Sequence, residues 1–175
     1  MKARILLSLI IISLFFGLNP YLYAATITST TTGGLWDVES TWIGGIIPGD
    51  NDTAIIQGHV VVGYVNGYTI YHSYGGWIIV EPAGILSAHE YGGGLGTFIL
   101  HVVHDIENNG IIHNGGNAPG THEYLHLIVS GNITNNGTWQ PHETILAGTG
   151  TQHLTLGDGS VFGGHWSVGP VHQLI

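Results

Sequence analysis

The chain has 175 residues, 29 of them glycine, and carries 11 carboxylates and 12 histidines against two cationic side chains, for a formal net charge of −9. It contains no cysteine, which excludes disulfide staples and thiol chemistry. So acidic a surface argues against nucleic acid and anionic lipid as partners, because both are gripped through Lys and Arg.

The first segment, residues 1–24, has the layout of a signal peptide. Lys2 and Arg4 form a basic start, Ile5 to Leu18 an apolar run, and "NPYLYA" leads to an expected cleavage point after Ala24. Cleavage there removes the only Lys and the only Arg. The remaining residues, 25–175, are expected to form a single domain, secreted to the extracellular space or the cell surface, with no membrane insertion after cleavage.

After that segment, "TITSTTTGG" (26–34) is polar and β-branched, an edge strand or a free arm. "PGDNDT" (48–53) offers Asp50 and Asp52 as oxygen ligands for calcium, although Asp and Asn after Pro-Gly are also ordinary turn formers. Residues 64–77 crowd together Tyr64, Tyr68, Tyr71, Tyr74 and Trp77. Aromatic platforms of this kind suit sugars; the plainer reading is a flap covering one face of the fold. "HEYGGGLG" (89–96) and "NGGNAPGTH" (114–122) read as loops.

Two phrases, "DIENNGIIHN" (105–114) and "NITNNGTWQP" (132–141), are near copies. Glycines recur in the same context at Gly58, Gly84, Gly110, Gly137 and Gly164, 26 or 27 residues apart. Two positions after them come Val60, Leu86, Ile112, Trp139 and Trp166, all apolar. Upstream, Phe98, Leu100 and Val102 match Leu125, Leu127 and Val129, with Leu154 and Leu156 assigned to the same places in the last copy. Val80, Ile106 and Ile133 form another such set, four residues before the glycine. Alternation with no helical period predicts short strands. A fixed period of this length predicts an all-β, parallel β-helix, a β-solenoid of about five coils. The pairs Asn108–Asn109 and Asn135–Asn136 are then corners of successive coils. Asn tolerates left-handed backbone there, Gly accepts it freely, and stacked amides can bond between coils.

The segment 33–62 carries Trp36, Thr41, Trp42, Gly44, Gly45, Pro48, Asp52, Ile55, Gly58, His59, Val60 and Val62. In that order these residues resemble the entry motif of secreted bacterial β-helix surface-protein modules, and also the start of the eight-glycine extracellular β-helix module. "GNITNNGT" and "GTGTQHLTL" resemble repeat coils of the same bacterial proteins. The resemblance implies a right-handed β-helix with an extracellular scaffold or binding role, and transfers no catalytic residue.

Histidine is the main supply of reactive groups. His101 and His126 fall on neighbouring coils, both pointing outward and two positions out of line, and imidazoles so placed could hold zinc or copper. In a chain without lysine, His can equally serve as an ordinary outer-face polar residue. For an enzyme the expected parts are missing: no Gly-x-Ser-x-Gly elbow, no cationic clamp for a uronate, and no acidic ladder, since Asp105 is followed one repeat later by Asn132 and Glu107 by Thr134. The expected role is therefore non-enzymatic and cofactor-free, with calcium at Asp50 and Asp52 a candidate ion beside a metal at His101 and His126. It is a structural or adhesive module, self-associating end to end as a fibre subunit or joining other surface proteins. The alternative is a carbohydrate-binding module that takes glycans on the Tyr64–Trp77 cluster.

Overall fold

A computed structural model describes residues 24–63, 70–89, 95–115 and 122–169. The predicted leader falls almost wholly outside them. The chain winds into a β-solenoid whose turns each contribute one strand to three parallel sheets. The first sheet contains β1 (Thr26–Thr28), β3 (Thr53–Ile56), β6 (Trp77–Val80), β9 (Ile106–Asn108), β12 (Ile133–Asn135) and β15 (Leu154–Leu156), in that order. The second contains β2 (Gly34–Leu35), β4 (His59–Val62), β7 (Ile85–Ala88), β10 (Ile111–His113), β13 (Thr138–Gln140) and β16 (Val161–Phe162). The third contains β5 (Ile70–Gly75), β8 (Leu95–Val102), β11 (His122–Val129), β14 (Glu143–Leu146) and β17 (His165–Val168). Five full turns follow a partial first one.

Alternation decides which face of each strand turns inward, and stacking then builds apolar columns along the axis. Ala54, Ile78, Ile106, Ile133 and Leu154 are successive partners in the first sheet. Val60, Leu86, Ile112, Trp139 and Phe162 are partners in the second. Leu100, Leu127, Thr144 and Trp166 line up in the third. Full burial of each Leu, Ile or Val in these columns, the half-exposed Leu154 apart, contributes roughly 1.5–3 kcal/mol.

The repeat holds through four turns and then shortens. Ile133 follows its partner Ile106 by 27 residues, but Leu154 follows Ile133 by only 21. Leu154 and Leu156 therefore belong beneath Ile133 and Asn135, not beneath the Leu125–Val129 strand. Trp166 leaves the expected Ile112–Trp139 column to Phe162 and takes a place in the third sheet. Gly164 is correspondingly not an equivalent of Gly137. It lies between β16 and β17 with φ +87°, and Ser160 precedes β16 where Gly137 precedes β13. Val80 pairs with Asn108 rather than matching Ile106, because "EPAG" (81–84) makes its corner two residues longer than "NG" (109–110).

The asparagine corners form two hydrogen-bonded ladders. In the inner one Asn108 Nδ2 donates to Asn135 Oδ1 (2.7 Å), and both amides are fully buried. Asn108 also donates to the Thr138 carbonyl (2.9 Å) and accepts from the Gly110 N–H (3.1 Å). In the outer ladder Asn136 Nδ2 donates to Asn109 Oδ1 (2.7 Å). The expected left-handed geometry is absent. Among the described residues no non-glycine has positive φ, and Gly58, Gly84, Gly110 and Gly137 are not positive either. These glycines are required for another reason. A Cβ on Gly137 would land on the Gly110 carbonyl of the previous turn, one on Gly110 on those of Glu81 and Gly84, and one on Gly84 on that of Ile56. The coils approach too closely at this corner for a side chain.

The tryptophans of the entry segment close the first turn. Trp36 and Trp42 meet edge to face at 5.2 Å, and Trp42 Nε1 donates to the Trp36 carbonyl (2.7 Å). Residues 41–43 run antiparallel along the outer edge of β1, bonding Thr30 N–H to Thr41 O and Ile43 N–H to Thr28 O (both 2.8 Å). The "TITSTTT" segment is thus a paired strand of its own turn, not a free arm. The predicted loops at 89–96 and 114–122 lie largely outside the described residues; β8 already begins at Leu95 and β11 at His122.

Candidate functional site

The outer face of the third sheet gathers most of the reactive side chains, because its strands alternate apolar-in with His, Tyr or Glu out. Two groups result. In the first, His72 of β5 and His101 of β8 bring Nδ1 and Nε2 to 2.9 Å, their rings 5.2 Å apart and tilted by 22°. Tyr74 stacks on the His101 ring at 4.6 Å and 10°. Beside this group Trp77, opening β6, stacks on His104 at 3.6 Å.

In the second group His126 of β11 pairs with Glu143 of β14, Nδ1 to Oε2 at 3.2 Å, and Glu143 Oε1 accepts from Ser167 Oγ (2.8 Å). His142 lies 5.3 Å from the His126 ring, 5.6 Å from His165 and 4.0 Å from Tyr124. Burial is the main cause holding His101, His126 and His142 below the usual histidine range. Neighbouring imidazoles push the same way: His72 on His101, His142 on His126 and His165 on His142. Asp50 opposes the shift at His101, as Glu143 does at His126 and His142.

The register keeps His101 and His126 two positions out of line, as their spacing predicts: His101 pairs with Ile128, and Ile99 with His126. They do not meet; each has a different partner, His72 and Glu143. Among the described residues no three His, Asp or Glu side chains converge closely enough to hold a metal ion. Asp52 is a clamp between turns, Oδ1 accepting from the Ala25 N–H (2.8 Å) and Oδ2 from the Gly49 N–H (2.9 Å). Asp50 is exposed in the same turn. Tyr64, Tyr68 and the side chain of Tyr71 lie outside the described residues, so of the aromatic cluster only Tyr74 and Trp77 can be placed, both exposed. His72, Tyr124, His142, Glu143 and His165 escaped the sequence reading. "HETIL" (142–146) has the alternation that could have revealed β14, but it is only four residues of strand.

On the first sheet an open groove of about 470 Å³ is lined by Trp77, Asp105 and Glu107, with Thr53, Ile78 and Ile79. Asp105 Oδ1 accepts from the Asn132 N–H (2.6 Å) and Glu107 from Asn109 Nδ2 (2.9 Å).

The two ends of the solenoid differ. At the first turn the segment 38–46 crosses the β1 edge and leaves Val38, Ile43 and Ile46 exposed. At the last, β15, β16 and β17 each pair on one side only among the described residues. There Leu154, Leu156 and Val161 are about half exposed and Val168 is 76% exposed.

Against this geometry, no protein-family model, no curated protein and no solved structure matches the chain.

Proposed function

We propose that this chain is an extracellular, non-enzymatic structural and adhesive module whose solenoids stack end to end. The observation that carries the reading is the last described turn, where three parallel strands each pair on one side only among the described residues, beside exposed Leu154, Leu156, Val161 and Val168. Open edges template further pairing. The other end presents a different apolar set, Val38, Ile43 and Ile46, so a contact between unlike ends repeats without closing and builds a fibre. The signal-like leader and the resemblance of 33–62 to secreted bacterial β-helix modules support the same reading.

Light scattering and negative-stain imaging of residues 25–175 test it. The expected result is concentration-dependent linear assembly, lost in the Leu154→Glu/Leu156→Glu double variant, which places charges on already exposed positions. A wild-type protein that stays monomeric at high concentration would overturn the reading.

A second reading, carbohydrate binding, is favoured by the groove, where an exposed indole stands beside two carboxylates able to accept from sugar hydroxyls. A glycan array probed with wild type and Trp77→Ala distinguishes it. Loss of a specific signal in the variant supports this second role.

A further inference from the structure

Hydrogen bonding of the first sheet begins at Ala25, one residue before β1. The Ala25 carbonyl accepts the Thr53 N–H at 2.7 Å, and the Ala25 N–H donates to Asp52 Oδ1 at 2.8 Å. The other oxygen of that carboxylate accepts the Gly49 N–H at 2.9 Å. The Asp52 backbone is tied as well: its N–H donates to the Gly49 carbonyl (3.1 Å) and its carbonyl accepts the Trp77 N–H (2.9 Å). The acceptor that faces the Ala25 nitrogen is therefore held in place by the fold.

Ala25 is also the residue expected to start the mature chain. Two unrelated signals meet at one bond, the layout of the leader and the first nitrogen that the sheet engages. Ala24 and Ala25 are both exposed. We propose, on the reading of residues 1–24 as a leader, that a secretory peptidase cleaves between Ala24 and Ala25 and that Asp52 is a preformed acceptor for the α-ammonium so created. Hydrolysis consumes one water. Its oxygen joins Ala24 as a carboxylate that leaves with the leader, and its two hydrogens end on the Ala25 nitrogen as an ammonium. A neutral hydrogen bond of the first turn thereby becomes an ion pair.

Charge gives this pair its weight. Lys2 and Arg4 depart with the leader, so the Ala25 ammonium is the sole primary amine of residues 25–175 and the sole cation besides protonated histidine. Its described surroundings are acidic. Asp50 stands in the same turn as Asp52, and Asp105 and Glu107 line the groove that Ala24 also borders. Residues 41–43, along the other edge of β1, carry no charge, and His104 joins this region through its stack on Trp77. A carboxylate within hydrogen-bond reach favours the protonated amine, which should therefore titrate above its ordinary range of about 7.7–8.0. Exposed ion pairs add little when two long side chains must be ordered to form them. Here the carboxylate is already fixed and the ammonium sits on backbone.

The test secretes the full chain from a bacterial host and determines the N-terminus of the product by mass spectrometry; the expected first residue is Ala25. The rate of amine acetylation against pH then reads the single α-amine directly. Wild type should show a midpoint above the ordinary range and react about three- to tenfold more slowly at pH 7 than Asp52→Asn. A Gly-Ser-Gly extension ahead of Ala25 leaves Asp52 and its neighbours untouched. It should return the midpoint to the ordinary range and lower the urea midpoint. A product that begins elsewhere than at Ala25 would overturn the cleavage assignment and the proposal with it. An Ala25 amine that titrates alike in wild type, Asp52→Asn and the extended chain would overturn the acceptor role while leaving the leader reading intact.

Discussion

Gly137→Ala separates two explanations of a recurring corner. If the glycine were there to adopt left-handed backbone, Asn would substitute almost as well, since Asn tolerates that region. Its φ is not positive, and what it faces is the Gly110 carbonyl of the previous turn. That carbonyl accepts the Thr138 N–H at 2.9 Å, so a methyl group at position 137 must push the turns apart exactly where a ladder bond joins them. Overpacking against backbone costs about 1–3 kcal/mol, and a weakened buried hydrogen bond about 1 kcal/mol more, giving about 2–4 kcal/mol for Ala. Asn should cost at least as much. Gly159 supplies the contrast, because its φ is +77° and a Cβ there meets nothing within 4 Å. At that position Asn should be better tolerated than Ala, and neither should exceed about 1–2 kcal/mol. Urea unfolding followed by circular dichroism reads all four variants. A Gly137→Ala protein within about 0.5 kcal/mol of wild type, or rescue by Asn at position 137, would refute the close-approach argument.

Trp139→Ala should destabilise by about 3–5 kcal/mol. Its indole is fully buried, is stacked near Phe162 and Trp166, and donates to Thr144 Oγ1 at 3.0 Å. Differential iodide quenching of wild type and Trp139→Phe checks the placement, and strong quenching of the Trp139 component would contradict it. Stability should also fall with acidity. His101, His126 and His142 have folded values below the unfolded one of about 6.5, so below that pH the unfolded chain binds the extra protons. The histidine contribution is complete above about pH 6.5 and is lost as pH drops through the lower folded values. Urea midpoints measured from pH 8 to pH 4.5 should show the decline, and a His126→Gln/His142→Gln variant should flatten it.

Most of the architecture was legible because solenoid stacking repeats a one-dimensional pattern. The Val60, Leu86, Ile112 and Trp139 column follows from counting from glycine to glycine, and the Asn corners from a repeated phrase. Counting failed where the chain takes a shortcut. Only residues 141–142 join β13 to β14, where the turn before has 114–121 between β10 and β11, so Trp166 and Gly164 looked equivalent to residues they do not stack on. The cause assigned to the corner glycines failed differently. A period shows that a side chain is forbidden, but not whether backbone angle or a neighbour forbids it. The histidine contacts were the least legible part. They depend on diagonal neighbours across adjacent turns, and β5 has too little apolar alternation to announce that His72 lies on the same face as His101.

The inner asparagine ladder has a further consequence for how turns find their mates. Along its column the chain reads Ile56, Val80, Asn108, Asn135 and Leu156, so two amides are enclosed by hydrocarbon above and below. Solenoid turns of similar shape invite exchange, because one turn can dock on the wrong neighbour, within a chain or between chains in a crowded fibre. Here a mismatched docking leaves a buried amide with hydrocarbon on both sides and strands a donor and an acceptor, at about 1–3 kcal/mol for each orphaned group. The two asparagines therefore act as an address: only one stacking order satisfies them. Errors of assembly are penalised inside the molecule, before any contact between molecules is made.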